Sequence, residues 1–225
     1  MRQLPVEHHK ICKIDTPFYL SVSSRLKSVK GFRRAILVTG TPSVGKTAVS
    51  RLLASKLDAV HVNLAELVER ESLISGVDEA RGTLIADTNR VSKRVQEIMK
   101  SSERDVIIDG HYAVDVVPAE DVHVVFVLRR DPDELKSFME GRGFKERKLW
   151  ENLAAEILDV CLWDAVSACG SDKVCEVDVS GKRVEEVVED LISVLEGRKR
   201  CEVGLVDWLG KLEEEGRLHE FLKPL

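Results

Sequence analysis

The chain has 225 residues, 44% of them hydrophobic and 32% charged, with a formal net charge of -5. That is one domain's length with enough apolar residues for a core, which excludes collagen-like, mucin-like and disordered classes. The acidic balance argues against nonspecific nucleic-acid binding by the chain as a whole, and the longest apolar run, 124–128, is far too short to span a bilayer. The opening stretch M-R-Q-L-P-V-E-H-H-K lacks the apolar region of a secretory signal. The five cysteines (Cys12, Cys161, Cys169, Cys175, Cys201) are odd in number and contain no C-x-x-C pair. Neither a disulfide framework nor a zinc site follows from that spacing, and a cytoplasmic, reducing home is expected.

Residues 1–33 have no clear period and read as an appendage of unknown role. From residue 35 onward, apolar runs alternate with amphipathic stretches. Ala35–Val38 is the first expected strand, and after it Val49, Leu52, Leu53 and Leu57 form a helical stripe. Ala59–Val62 is the second strand, and Val91, Val95, Ile98 and Met99 form another stripe. Val106–Ile108 and Val122–Leu128 are the third and fourth strands, apolar on both faces as in a covered parallel sheet. At Asp131-Pro132-Asp133-Glu134 a helix starts, with Asp131 as cap, Pro132 in the first turn and Glu134 able to close a capping box. Val174–Val177 is the fifth strand, and Val184, Val187, Val188, Leu191 and Leu195 line a helix that Gly197 terminates. Residues 198–225 open with Arg198-Lys199-Arg200, read as a solvated helix exit, and continue past Val206-Asp207-Trp208-Leu209 into a charged helix that packs back on the domain. This alternation specifies a doubly wound α/β sheet.

Gly40 to Thr47 read G-T-P-S-V-G-K-T directly after the first strand. In the pattern G-x-x-x-x-G-K-[ST], backbone N–H groups of the loop face phosphates and the following helix adds the positive end of its dipole. Gly40 and Gly45 allow close backbone approach, Lys46 reaches the β- and γ-phosphates, and Thr47 offers its hydroxyl to Mg²⁺. Chance supplies these four fixed positions in about 1% of chains this long, and the flanking strand and helix lower that further. The chain therefore reads as an ATP-using P-loop protein. Asp109 ends the third strand, where P-loop proteins commonly place the carboxylate that holds the Mg²⁺ water shell. His111, two residues on, stands where an imidazole can orient or deprotonate a water or hydroxyl. The remaining histidines, His61 among them, receive no role. Arg142-Gly143-Phe144-Lys145-Glu146-Arg147-Lys148 carries four cations in seven residues and suits a lid over a triphosphate. Trp150, Trp163 and Trp208 are expected to be packing anchors.

With these motifs assembled, the chain resembles the adenylate kinase isoenzyme six family, the small kinase-like ATPases of archaeal and eukaryotic ribosome assembly. The resemblance runs from about Ile36 to Ile192. It is carried by G-T-P-S-V-G-K-T, by D-G-H at 109–111, by V-F-V-L-R at 125–129, by R-G-F at 142–144 and by E-N-L-A-A-E-I-L-D-V at 151–160. It implies a P-loop NTPase of nucleoside monophosphate kinase type over 34–197, with five parallel strands in order 2-3-1-4-5. An acceptor-nucleotide segment would fall near 63–86, a lid near 141–151, and a C-terminal helical extension over 198–225. The implied activities are ATP plus AMP to two ADP, and ATP hydrolysis. The alternative reading is an ATPase assembly switch that binds a small-subunit ribosomal protein of the platform during rRNA maturation and has little AMP kinase activity. No membrane partner and no direct sequence-specific nucleic-acid binding are implied. Carried onto this chain, Gly40, Ser43, Val44, Gly45, Lys46, Thr47, Ala48 and Arg142 are the nucleotide contacts, and Thr47 and Asp109 are the metal-handling pair. Lys46, Asp109, His111 and Arg142 are the catalytic set. Three departures stand out: Ser43 replaces a usual glycine, Glu69 replaces an arginine that some members carry, and Phe138 replaces an arginine that often precedes the lid.

Overall fold

The computed structural model describes residues 34–78, 83–144 and 146–222, so the expected 1–33 appendage lies outside the described residues. Strand β1 (Ala35–Thr39) passes through the glycine loop into helix α1 (Lys46–Leu57) and β2 (Val60–Asn63). Helix α2 (Leu64–Glu71), a hairpin of β3 (Ile74–Asp78) and β4 (Thr83–Ala86), and α3 (Thr88–Ser101) follow. Next come β5 (Val106–Asp109), the short α4 (Ala113–Val116) and β6 (Val122–Arg129). Helices α5 (Pro132–Gly141), α6 (Glu146–Ile157) and α7 (Val160–Cys169) lead to β7 (Val174–Asp178). The described chain closes with α8 (Val184–Leu195), α9 (Trp208–Glu214) and α10 (Leu218–Phe221).

Five parallel strands pair in the order β2-β5-β1-β6-β7. Counted among the sheet strands alone this is the expected 2-3-1-4-5. The labels shift because the antiparallel β3–β4 hairpin, which the residue pattern did not indicate, intervenes. Its run I-S-G-V-D is short, broken by Gly76 and exposed at alternate positions, so it lacks the apolar density that marks the sheet strands.

Side chains of each strand alternate between two cores, as the period-two geometry of a strand requires. Ile36, Val38, Ile107, Phe126 and Leu128 face a layer containing α1, α5, α6 and α8. Leu37, Ile108, Val125 and Val127 face the other, containing α2, α3, α4 and α7. Trp208, Leu212 and Phe221 join the first of these cores, so the segment after α8 is packed against it.

Two local expectations need correction. Asp131 caps α5 by accepting from the N–H groups of Asp133 and Glu134, but the Glu134 carboxylate does not close a box; it binds Arg130 and the N–H of Gly181 instead. A stronger charged partner was available in three dimensions. Trp163 is not a packing anchor, because 71% of it meets solvent.

The most demanding contact is ionic. Arg129, at the end of β6, is only 1% exposed and reaches Glu156 (2.9 Å), Glu176 (2.6 Å) and Asp159. Burial alone opposes its charge, but the Glu156 and Asp159 carboxylates outweigh that effect and hold its pKa above the usual value. Replacing Arg129 by Met should cost about 3–5 kcal/mol, since Glu156 and Glu176 would be left buried without their cation. Urea denaturation of Arg129→Met checks this; a loss under about 1 kcal/mol would be a surface-pair value and would contradict it.

Candidate active site

The glycine loop lies at the C-terminal end of the central strand β1, where parallel α/β sheets place their ligand crevices. Gly40 is required by close approach: a Cβ there would lie 2.4 Å from the Leu128 carbonyl, with φ at +134°. Gly45 caps α1 at φ +115°. Between them Ser43 adopts φ +71°, a left-handed conformation that costs a serine about 1–2 kcal/mol and costs glycine almost nothing. Its buried Oγ has no hydrogen-bond partner. Val44 is wholly buried in the core and Ala48 is exposed on α1, so neither side chain is positioned like the polar groups of the loop.

Lys46 Nζ donates to the carbonyls of Gly40 (2.7 Å) and Thr41 (2.9 Å). Burial lowers its pKa to about 8, an effect only partly offset by Cys161, Asp109 and Glu156. Arg142, at the C-terminus of α5, lies near enough for its charge to lower Lys46 further. Lys46 in turn acts on His111, whose pKa falls to about 4, first through burial and then through that cation. More than a third of His111 meets solvent, so screening softens the depression, but the ring is neutral at pH 7 either way. Lys46, Asp109, His111 and Arg142, spread over nearly a hundred residues of sequence, thus share one electrostatic neighbourhood. Two further cations of the cluster are engaged locally: Arg147 pairs with Glu151 at 2.7 Å and Lys148 lies over the Phe144 ring, while Lys145 lies outside the described residues.

Asp109 is 1% exposed and fully surrounded by donors. Thr47 Oγ1 lies 3.4 Å from Oδ1, Asn63 Nδ2 donates to the same oxygen at 2.6 Å, and His61 Nε2 lies 2.7 Å from Oδ2. Asn63 also donates to Thr47 Oγ1 (3.0 Å) while its Oδ1 caps α2 through Glu66 N–H (2.9 Å). The hydroxyl of Thr47 and the carboxylate of Asp109 form a hard-oxygen pair suited to Mg²⁺, which takes one or two protein oxygens and keeps water in its remaining positions. Gly110 has no room for a side chain, because a Cβ would fall 2.7 Å from Leu64 Cδ1. The next residue is latched to β1 by a hydrogen bond from Thr39 Oγ1 to the His111 carbonyl.

His61 and Asn63 carry no signal in the sequence, which gave His61 no role, and the structure places both against Asp109. They alternate on β2, and the parallel register pairs Asn63 with Asp109, a relation that only strand pairing creates. Arg130 was also missed. Its guanidinium donates to the Val44 carbonyl (3.3 Å) and stacks 4.8 Å above the Phe138 ring. A cation therefore stands beside the loop at the point where Phe138 departs from arginine. Glu69 is exposed and the adjacent Arg70 pairs with Glu71.

A family model described as an AAA domain matches residues 36–159. A protein of Methanocaldococcus jannaschii named "Putative adenylate kinase" is 35% identical over 176 residues, covering 78% of this chain and 93% of that protein. One of the same name from Pyrobaculum aerophilum is 38% identical over 193 residues, covering 86% and 94%. The chain belongs to this adenylate kinase-like family. Among solved structures, shikimate kinase from Bacteroides thetaiotaomicron is similar at a TM-score of 0.48 and 19% identity, covering 72% of this chain and 98% of that one.

Two measurements probe the geometry of this adenylate kinase-like site. His61→Leu removes the partner of Asp109 Oδ2, and the apparent Mg²⁺ affinity in nucleotide turnover should fall roughly ten-fold. His61→Gln, which keeps a donor, should restore most of it; equal loss in both would discount the hydrogen bond. With a Lys46 pKa of about 8 in the free protein, nucleotide affinity should decline as pH rises above 8, because the ammonium that attracts phosphate is lost. Flat affinity between pH 7 and 9.5 would contradict that.

Proposed function

We propose that this protein is an adenylate kinase that transfers the γ-phosphoryl group of Mg·ATP to AMP, giving two ADP, and that it also hydrolyses ATP. The observation that supports this reading most is the convergence of Lys46, Thr47, Asp109, His111 and Arg142 on the glycine loop, in a chain related to proteins named as adenylate kinases. Gly40, Ser43, Val44, Gly45, Lys46, Thr47, Ala48 and Arg142 would contact the nucleotide, with Val44 contributing backbone. Mg²⁺ held by Thr47 and Asp109 would neutralise charge on the β- and γ-phosphates. Lys46 and Arg142 would draw the transferring group into line and stabilise the charge on its oxygens, where positioning and electrostatics do most of the catalytic work. An AMP phosphate oxygen forms the new P–O bond as the bond to the β-phosphate oxygen breaks. The acceptor would lie against 63–86, and 141–151 would close as the lid.

A second reading, an ATPase assembly switch that binds a small-subunit ribosomal protein in rRNA maturation, draws on His111. A ring with a pKa near 4 is a weak base at pH 7 but a good hydrogen-bond acceptor. It would orient a water on the γ-phosphate and leave the proton to solvent as ADP and phosphate form. ADP production from ATP alone and from ATP plus AMP separates the two activities, and AMP-independent ADP alone would sink the kinase reading. His111→Ala should depress hydrolysis without AMP by roughly ten-fold and phosphotransfer to AMP by less. Equal losses accompanied by a lower melting temperature would mean that His111 only supports the loop.

A further inference from the structure

Beyond the nucleotide site, two thiols separated by 26 positions in sequence meet at the open edge of the sheet. β7 is an outer strand, and the chain returning from α8 runs along it. Glu176 N–H donates to the Glu202 carbonyl at 2.9 Å. Cys201 Sγ donates to the Val174 carbonyl at 3.3 Å. Cys175 and Cys201 pack in the same core, and each thiol lies near enough to shift the other's pKa. The Glu176–Glu202 backbone bond on one side and the bond from Cys201 Sγ to Val174 on the other bring residues 175 and 201 beside each other, as a disulfide requires. Cys175 is 2% exposed and Cys201 is partly exposed, so only one of the two meets solvent directly.

We propose that Cys175 and Cys201 form a reversible disulfide that locks the segment after α8 onto β7, making the anchoring of that segment responsive to thiol oxidants. The oxidant class is a small-molecule disulfide such as oxidised glutathione. Cys201 attacks it first, forming a mixed disulfide and releasing one glutathione thiol. Cys175 then attacks the Cys201 sulfur, releasing the second. Two protein thiols are oxidised, one glutathione disulfide is reduced to two thiols, and the hydrogens and electron pair balance. In the resting pair the contact with Cys201, then Glu202 N–H and the Lys199 cation, hold the Cys175 thiol below the usual range against burial, and once Cys201 is in the mixed disulfide the Glu202 N–H and Lys199 remain to favour the Cys175 thiolate. The same contact and burial push Cys201 up, so loss of its proton to the departing glutathione sulfur limits the first step.

The segment being locked is tied to the nucleotide site. Leu205 N–H donates to Glu176 (2.6 Å) and Trp208 Nε1 to Glu156 (3.3 Å). Glu156 in turn accepts from the Thr41 hydroxyl of the glycine loop.

The test uses the full-length protein carrying Cys12→Ser, so that no thiol outside the described residues competes. After exposure to oxidised glutathione, the intact mass should drop by two hydrogens. Digestion without reduction should yield a peptide pair joined through Cys175 and Cys201. The melting temperature should rise by roughly 5–10 °C, as closing a loop of this length implies, and dithiothreitol should reverse it. Amide exchange at Leu205 should slow in the oxidised form. Adding Cys201→Ser, a change at the partly exposed partner, should abolish all four effects while the reduced protein keeps its fold by circular dichroism. Free thiols after the same treatment, a persistent glutathione adduct, or linkage through Cys161 or Cys169 would each overturn the proposal.

Discussion

Arg129 cannot be inside this protein as a charged group unless carboxylates come to it, and much of the architecture follows from where those carboxylates sit. Glu156 comes from α6, Asp159 from the turn after it and Glu176 from β7. Each of these acids would itself be costly to bury alone. Glu156 escapes that cost by accepting from Arg129, Arg130 N–H and Trp208 at Oε1 and from the Thr41 hydroxyl at Oε2, so that both oxygens are bonded. One buried cation thereby fixes the relative positions of the glycine loop, the central sheet, helix α6 and the C-terminal segment. Removing any one of the four leaves a charge or a donor unmatched in the interior.

The electrostatics of the site rest on the same principle with the opposite outcome. Lys46 is crowded, cationic and held by loop carbonyls, with no carboxylate bonded to it directly. It therefore has a lowered pKa and a strong preference for an anion, which the phosphates of a nucleotide satisfy. His111 pays for that field by staying neutral. Asp109 carries the compensating negative charge, clamped by Thr47, Asn63 and His61 so that its carboxylate has little rotational freedom. Ser43 fits the same picture as a strained position with an unpaired hydroxyl, a combination that concentrates at functional loops.

The segment after α8 covers the outer edge of β7. An uncovered parallel edge presents unpaired N–H and C=O groups to any passing strand. Here Glu202 and Cys201 bond to that edge, and Leu205 satisfies the second oxygen of Glu176. Arg198 and Lys199 pair with Glu189 and Asp190 of α8 and with Glu196 just after it, so the basic run is a solvated helix exit that also fastens the turn.

Short-range chemistry was legible in the amino-acid sequence because it is set within a few residues. The phosphate-loop spacing, the strand end at Asp109, the Asp131 cap and the Gly197 stop all act locally. The five sheet strands were placed to within about a residue, since short apolar runs between turn and helix signals stand out, four of them buried on both faces and the edge strand β2 only partly. The β3–β4 hairpin was not, because half of its residues face water and its pairing supplies what its composition lacks. What joins His61 and Asn63 to Asp109 is the parallel register of β2 on β5, and what joins Cys175 to Cys201 is the return of the chain along β7. The carboxylates around Arg129 lie up to 47 positions away. Sequence by itself determined the phosphate-loop pattern and its place between the first strand and the first helix. Tertiary structure alone decided which distant side chains hold that loop's neighbours in place, because a buried charge selects partners by distance in space, and sequence separation does not report that distance.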